Sequence, residues 1–176
     1  MSYASLLRHS KCCGCGAEFP ELKGPTHRYM RSSPACWAAF GQVLAREYTD
    51  RRLDSVHRLT VDSYAVQHPG ERSAQTIQSV AVHLCRLCMI FEGRFPIDRA
   101  NDLILAVKQF DDRFRWLEPP STLGAVTIAD VLSSKGTEEH NALVHEWARA
   151  AWSAWSIHHE TVRSWLALRF DLSQKA

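Results

Sequence analysis

Three of the six cysteines crowd into Lys11-Cys12-Cys13-Gly14-Cys15-Gly16-Ala17. Two thiols three positions apart in a glycine-bearing turn can present both sulfurs to one tetrahedral ion, with backbone amides turned toward them. The spacing is half of a zinc site. A closed site takes four N or S ligands, so two more must come from elsewhere. His27 and Cys36 lie nearest in the chain, and short loops cost least to close. Cys13 is set aside, because adjacent cysteines are poorly placed to serve one tetrahedral ion. The expected ligands of a bound Zn2+ are therefore Cys12, Cys15, His27 and Cys36, with His68 as the leading substitute. A second C-x-x-C pair, Cys85 and Cys88, sits in an apolar stretch where free cysteine behaves as a small hydrophobe. It stays an alternative source of ligands.

A second constellation is built on histidine. His57, Val61, Tyr64 and His68 recur at three- or four-residue steps and share one face of a helix. Gln75, Ser79 and His83 recur at four-residue steps in the next apolar stretch. A pocket between these helices could gather His57, Asp62, Tyr64, His68 and His83. An imidazole would then serve as general base or metal ligand, Asp62 would orient it, and Tyr64 would donate a proton or stabilise an oxyanion. The structural alternative is a set of core polar groups, each satisfied by a hydrogen bond. Farther on, His140, His145, His158 and His159 accompany Trp147, Trp152, Trp155 and Trp165, which read as core and partner surface.

These residues need a scaffold to place them. Residues 1–32 are short on periodicity and rich in Gly, Pro, Cys and Ser, so they read as a looped cap without a core of its own. Ser33-Pro34 is a helix start, with serine as cap and proline at the first helical position. Trp37, Phe40, Val43, Leu44 and Tyr48 follow at helical spacing. A second helix is expected from near Asp54 to the breaker pair Pro69-Gly70, and a third from about Ser73 to Phe91. Pro96 opens a fourth carrying Ile97, Leu103, Ile104, Val107 and Phe110. Thr127 caps a short piece over 128–132. The last helix is expected to run unbroken from about Thr137 to Phe170. No segment reads as a convincing strand. The expectation is one all-α domain over residues 1–176. It consists of a cysteine-rich cap over 1–32 and a bundle of about five helices over 33–176, with the metal-bound loop at its N-terminal side.

Composition bounds the partners. With 176 residues, 45% hydrophobic and 23% charged, the chain has the makeup of an ordinary soluble domain. A net charge of +2 without a basic stripe gives no reason to expect nucleic acid. No stretch reads as the ~18 apolar residues of a membrane span. Clustered cysteines without an export signal suit metal ligation in a reducing cytoplasm better than a disulfide framework. The expected partner is an unidentified small molecule or protein.

Cys12-Cys13-Gly14-Cys15-Gly16-Ala17, Gly24-Pro25-Thr26-His27-Arg28-Tyr29, Ser33-Pro34-Ala35-Cys36-Trp37 and His57-Arg58-Leu59-Thr60-Val61-Asp62, continuing through Tyr64 to Gly70 and Ile77 to Leu84, together resemble a bacterial family known only as a domain of unknown function. The resemblance covers roughly the first half of the chain and implies no activity and no catalytic residue. Cys13 departs from the C-P-G-C-G form more usual in that family and leaves Cys12 and Cys15 in place. His158-His159-Glu160-Thr161-Val162-Arg163-Ser164-Trp165 is weakly similar to the terminal helix of DinB-like bundles, which place three histidines around a divalent ion. Two functional readings stand side by side. One is a structural zinc in a helical interaction or ligand-binding module. The other is a metal-dependent hydrolase or transferase using the His/Tyr pocket. The number of protein ligands at the metal separates them, because a catalytic site keeps a position for water.

Overall fold

The computed structural model describes residues 8–93, 95–100, 102 and 113–167. The described chain is a helical bundle with a two-stranded ribbon at its N-terminal side. Helix α1 spans Pro34–Thr49 and starts where its sequence dictates: Ser33 is extended, and its Oγ accepts the Cys36 amide at 3.2 Å. A 3-10 turn at Arg51–Leu53 leads into α2, His57–Gln67. Helix α3, Ala74–Phe91, is capped by Ser73, whose Oγ accepts the Thr76 amide at 3.1 Å. The short α4, Ile128–Leu132, begins with a capping box between Thr127 and Asp130. Helix α5 spans Thr137–Ala154 and α6 spans His159–Ala167.

Helix α2 lies at the centre, packed on α3 and on α5, while α1 packs on α4 and α3 on α6. This explains why its sequence is so weakly amphipathic. Leu59, Tyr64 and Val66 are buried, and so are Thr60, Asp62, Ser63 and Gln67 on other sides of the same helix. A polar group can be buried at little cost only when it is hydrogen-bonded. Gln67 donates to the carbonyls of Leu123 at 2.9 Å and Val126 at 2.8 Å, and its Oε1 accepts the Trp147 indole N–H at 2.7 Å. The Trp155 indole donates to the Val66 carbonyl at 3.1 Å. Trp147 and Trp155 are thus core residues with their polar handles satisfied.

Four sequence expectations change. The ribbon pairs β1, His9–Lys11, with β2, Glu18–Pro20, antiparallel in the register Ser10 opposite Phe19. Three-residue strands are too short to show a period of two. Helix α2 begins at His57 rather than near Asp54, because Asp50 accepts the Arg52 amide and starts the 3-10 turn first. The long terminal helix is interrupted by a 3-10 turn at Ser156–His158. No glycine or proline marks this break. It is held by tertiary contacts, with Trp155 bonded to α2 and the His159 ring stacked 3.6 Å from Trp152. Finally, α3 is long and apolar enough to cross a membrane by composition alone. More than half of it is buried in the bundle, and its Arg86 is ion-paired to Asp62, as suits a core helix. Of the expected fourth helix, residues 97–100 are helical; Leu103, Ile104, Val107 and Phe110 fall outside the described residues, as does the far end of the terminal helix.

Candidate metal centre

The ribbon exists to hold a turn. Cys12 donates its amide to the Ala17 carbonyl at 2.8 Å, and Gly16 donates to the Cys12 carbonyl at 3.0 Å. Gly16 has φ +78°, a conformation that side chains disfavour. Gly14 is required for a different reason, namely space. A Cβ there would lie 2.4 Å from the Arg31 carbonyl and 2.5 Å from Cδ2 of His68. The turn is therefore seated against the segment that leads into α1 and against the end of α2.

That seating brings together Cys12 and Cys15 from the turn, Cys36 from the first turn of α1, and His68 from the C-cap of α2. Their ligand atoms all lie within 4.8 Å of one another, close enough to hold a metal ion. Cys15 Sγ is 3.8 Å from Cys36 Sγ, and Cys36 Sγ is 3.3 Å from His68 Nε2. A tetrahedral ion with Zn–S bonds of about 2.3 Å and a Zn–N bond of about 2.05 Å has S···S edges of about 3.8 Å and S···N edges of about 3.6 Å. The Cys15–Cys36 edge matches that value, and the Cys36–His68 edge is about 0.3 Å shorter than its own.

The surroundings prepare each ligand. His68 Nδ1 lies 2.7 Å from the Tyr64 carbonyl, which can only accept, so Nδ1 carries the proton and the Nε2 lone pair faces the sulfurs. The Ser33 amide donates to Cys12 Sγ at 3.4 Å, and the Tyr64 hydroxyl donates to Cys36 Sγ at 3.7 Å. Burial pushes the Tyr64 phenol far up, so it stays a donor. Cys12, Cys36 and His68 are buried, and Cys15 is partly covered. Hydrogen bonds from Cys15 and then Cys36 push the Cys12 thiol far down. The same contact with Cys12 pushes Cys15 up to about 12 and Cys36 far above its ordinary value. Cys12 thus favours the thiolate, while Cys15 and Cys36 favour the thiol. A divalent cation would displace the remaining two protons.

His27 stands outside this group, which corrects the expected ligand set. Its ring lies 4.4 Å from Tyr29 and 5.0 Å from Trp37, its Nδ1 accepts the Tyr29 amide at 3.4 Å, and burial lowers its pKa. Residues 21–26 are exposed and without regular structure, and His27 packs on Tyr29 and Trp37, so closeness in sequence does not bring it to the sulfurs. Cys13 is exposed. Cys85 and Cys88 also lie outside the group, buried in α3, where burial pushes the Cys85 thiol well up and that of Cys88 to about 12.

The expected His/Tyr pocket is dispersed over three networks. Tyr64 and His68 belong to the cysteine group. His57 Nδ1 pairs with Glu47 Oε2 at 2.9 Å, while the other oxygen of this buried carboxylate takes His140 Nε2 at 3.0 Å and the Thr60 hydroxyl at 2.5 Å. His83 Nδ1 pairs with Asp62 Oδ1 at 2.6 Å, and Arg86 clamps both oxygens of Asp62 at 2.8 Å. His57 and His83 are thus bound to different carboxylates, Glu47 and Asp62. His158 and His159 bond to the carbonyls of Glu118 and Trp152 rather than joining a three-histidine group. Glu47 and Arg86 were missed by sequence reasoning. Glu47 did leave a signal, since Cys36, Phe40, Val43 and Glu47 form one helical stripe, with a carboxylate placed among core positions.

A family model, described as a family of unknown function (DUF5946), matches residues 10–156, and the chain belongs to that family. No curated protein and no solved structure matches it.

Proposed function

We propose that this DUF5946 protein holds one structural Zn2+ through Cys12, Cys15, Cys36 and His68, and that the bundle so stabilised is a ligand-binding or interaction module. Family membership supplies no activity, so the reading rests on the site. The observation that carries it is the convergence of four largely buried ligand atoms from three separate elements to within 4.8 Å of one another. Four protein ligands close a zinc site and leave no position for substrate water. The metal would join a ribbon too small for a core of its own to α1 and α2. Three thiols kept free for a metal suit a reducing compartment, so we place the protein in the cytoplasm. The enzyme reading has less support, because its five candidate residues serve separate networks.

The test is elemental analysis of purified protein with Cys12→Ser, Cys36→Ser and His68→Ala, together with cobalt substitution. One zinc per wild-type chain, a tetrahedral cobalt spectrum with thiolate charge-transfer bands, and loss of metal in each variant are expected. Wild-type protein without metal, or variants retaining it fully, would overturn the reading. Because binding energy is folding energy in such sites, chelation should expose the segment around residues 8–33 before the bundle melts.

A further inference from the structure

A cavity of about 460 Å³ opens beside the metal centre. Arg28, Tyr29 and Arg31 form one wall; Gly70, Arg72 and Thr76 form the other. The two walls are the segments adjoining Cys36 and His68 in the chain. The Arg31 amide donates to the His68 carbonyl at 3.2 Å. The walls also meet at Gly70, where a Cβ would fall 2.0 Å from the Tyr29 carbonyl oxygen. The cavity is thus built from the same contacts that bring the zinc ligands together.

Its lining is strongly cationic for a chain whose net charge is only +2. Three arginines, Arg28, Arg31 and Arg72, line it beside one carboxylate residue, Glu71. Among the described residues, no ion pair engages Arg28, Arg31, Arg72 or Glu71. Arginine does not lose its charge, so neighbouring guanidiniums repel until an anion lies between them. Their forked donors suit the oxygens of phosphate. Helix α3 begins at this wall, and its N-terminal end favours negative charge in the same place. A planar carboxylate is fully served by one guanidinium, whereas a tetrahedral dianion can use three. The volume falls within the roughly 300–1,000 Å³ of small-molecule sites and leaves room beyond a phosphate for an organic group against Tyr29.

We propose that this cavity binds the phosphate group of a small phosphorylated molecule. The inference names a ligand class for the module described above and in that respect rests on that reading. The experiment is calorimetric titration of the full chain with phenyl phosphate, inorganic phosphate and benzoate, with zinc content measured in every sample. Saturable one-to-one binding of phenyl phosphate is expected, with benzoate at least about tenfold weaker. Each of Arg31→Gln and Arg72→Gln should weaken phenyl phosphate about tenfold or more, the usual loss for a charge-assisted hydrogen bond. Zinc content should not change in these variants, whose side chains lie outside the ligand group. Absence of saturable binding to folded wild-type protein, undiminished wild-type affinity in both variants, or equal binding of benzoate would each overturn the proposal. Arginine-dependent binding by protein that carries no zinc would sink the zinc reading and leave this one standing. Full zinc occupancy without phosphate binding would do the reverse.

Discussion

Gly14→Ala tests how tightly the turn must be seated for the centre to form. The added Cβ would lie 2.4 Å from the Arg31 carbonyl oxygen and 2.5 Å from Cδ2 of His68, where real Cβ contacts essentially never fall below 3.0 Å. Something must therefore move by about 0.6 Å. Neither neighbour yields easily: one is backbone, and the other is a buried ring held by its bond to Tyr64. Metal–ligand distances tolerate only about 0.2 Å, so a shift of this size is felt directly in coordination. Overpacking of this kind costs roughly 1–3 kcal/mol, which corresponds to a roughly five- to hundredfold loss of zinc affinity if it falls on the metal-bound form. The assay is competition for zinc against a chromophoric chelator, paired with thermal melting before and after metal removal. Gly41→Ala is the control, since Gly41 lies in α1 with no atom near its would-be Cβ. It should stabilise the protein by roughly 0.5–1 kcal/mol and leave zinc affinity alone. Wild-type zinc affinity in Gly14→Ala would refute the reasoning, because the turn would then not be seated as the contacts require.

Zinc affinity should fall steeply with acid. Cys15 and Cys36 are held protonated by their contacts with Cys12, so about two protons must leave per ion near neutrality, and lowering the pH favours the metal-free form. Calorimetry in buffers of different ionisation enthalpy would count them; a count of zero would show that the thiols do not ligate. Asp62→Ala, which strips the buried Arg86 of its clamped carboxylate, should cost about 3–5 kcal/mol in urea unfolding while zinc stoichiometry stays the same. A loss below about 1 kcal/mol would show that the pair is not buried as described.

Much that is local was legible before the fold was known. The Ser33, Ser73 and Thr127 caps act on amides two or three residues away, so sequence alone places those helix starts. Two thiols in the Cys12–Gly16 turn mark a group that could hold a metal for the same reason, because the turn is built by short-range bonds. The all-helical class followed from periodicity that most of these helices carry in themselves. The fourth member of the cysteine group did not. His27 is nearer to Cys15 in sequence than His68 is, yet its ring packs on Tyr29 and Trp37 while the Gly14 turn packs on the end of α2. The histidine stripe also had a meaning that periodicity cannot express. Helix α2 is central, so its polar residues face different neighbours, with Thr60 reaching Glu47, Asp62 reaching Arg86 and Gln67 reaching Trp147. Those partners come from three other helices, and no spacing within α2 can predict which one each side chain meets. Nor does any local signal break the terminal helix at Trp155, whose indole is anchored to the Val66 carbonyl. Sequence determined which residues could ligate and where most helices start; only tertiary packing decided which donors meet, because that choice depends on contacts between segments far apart in the chain.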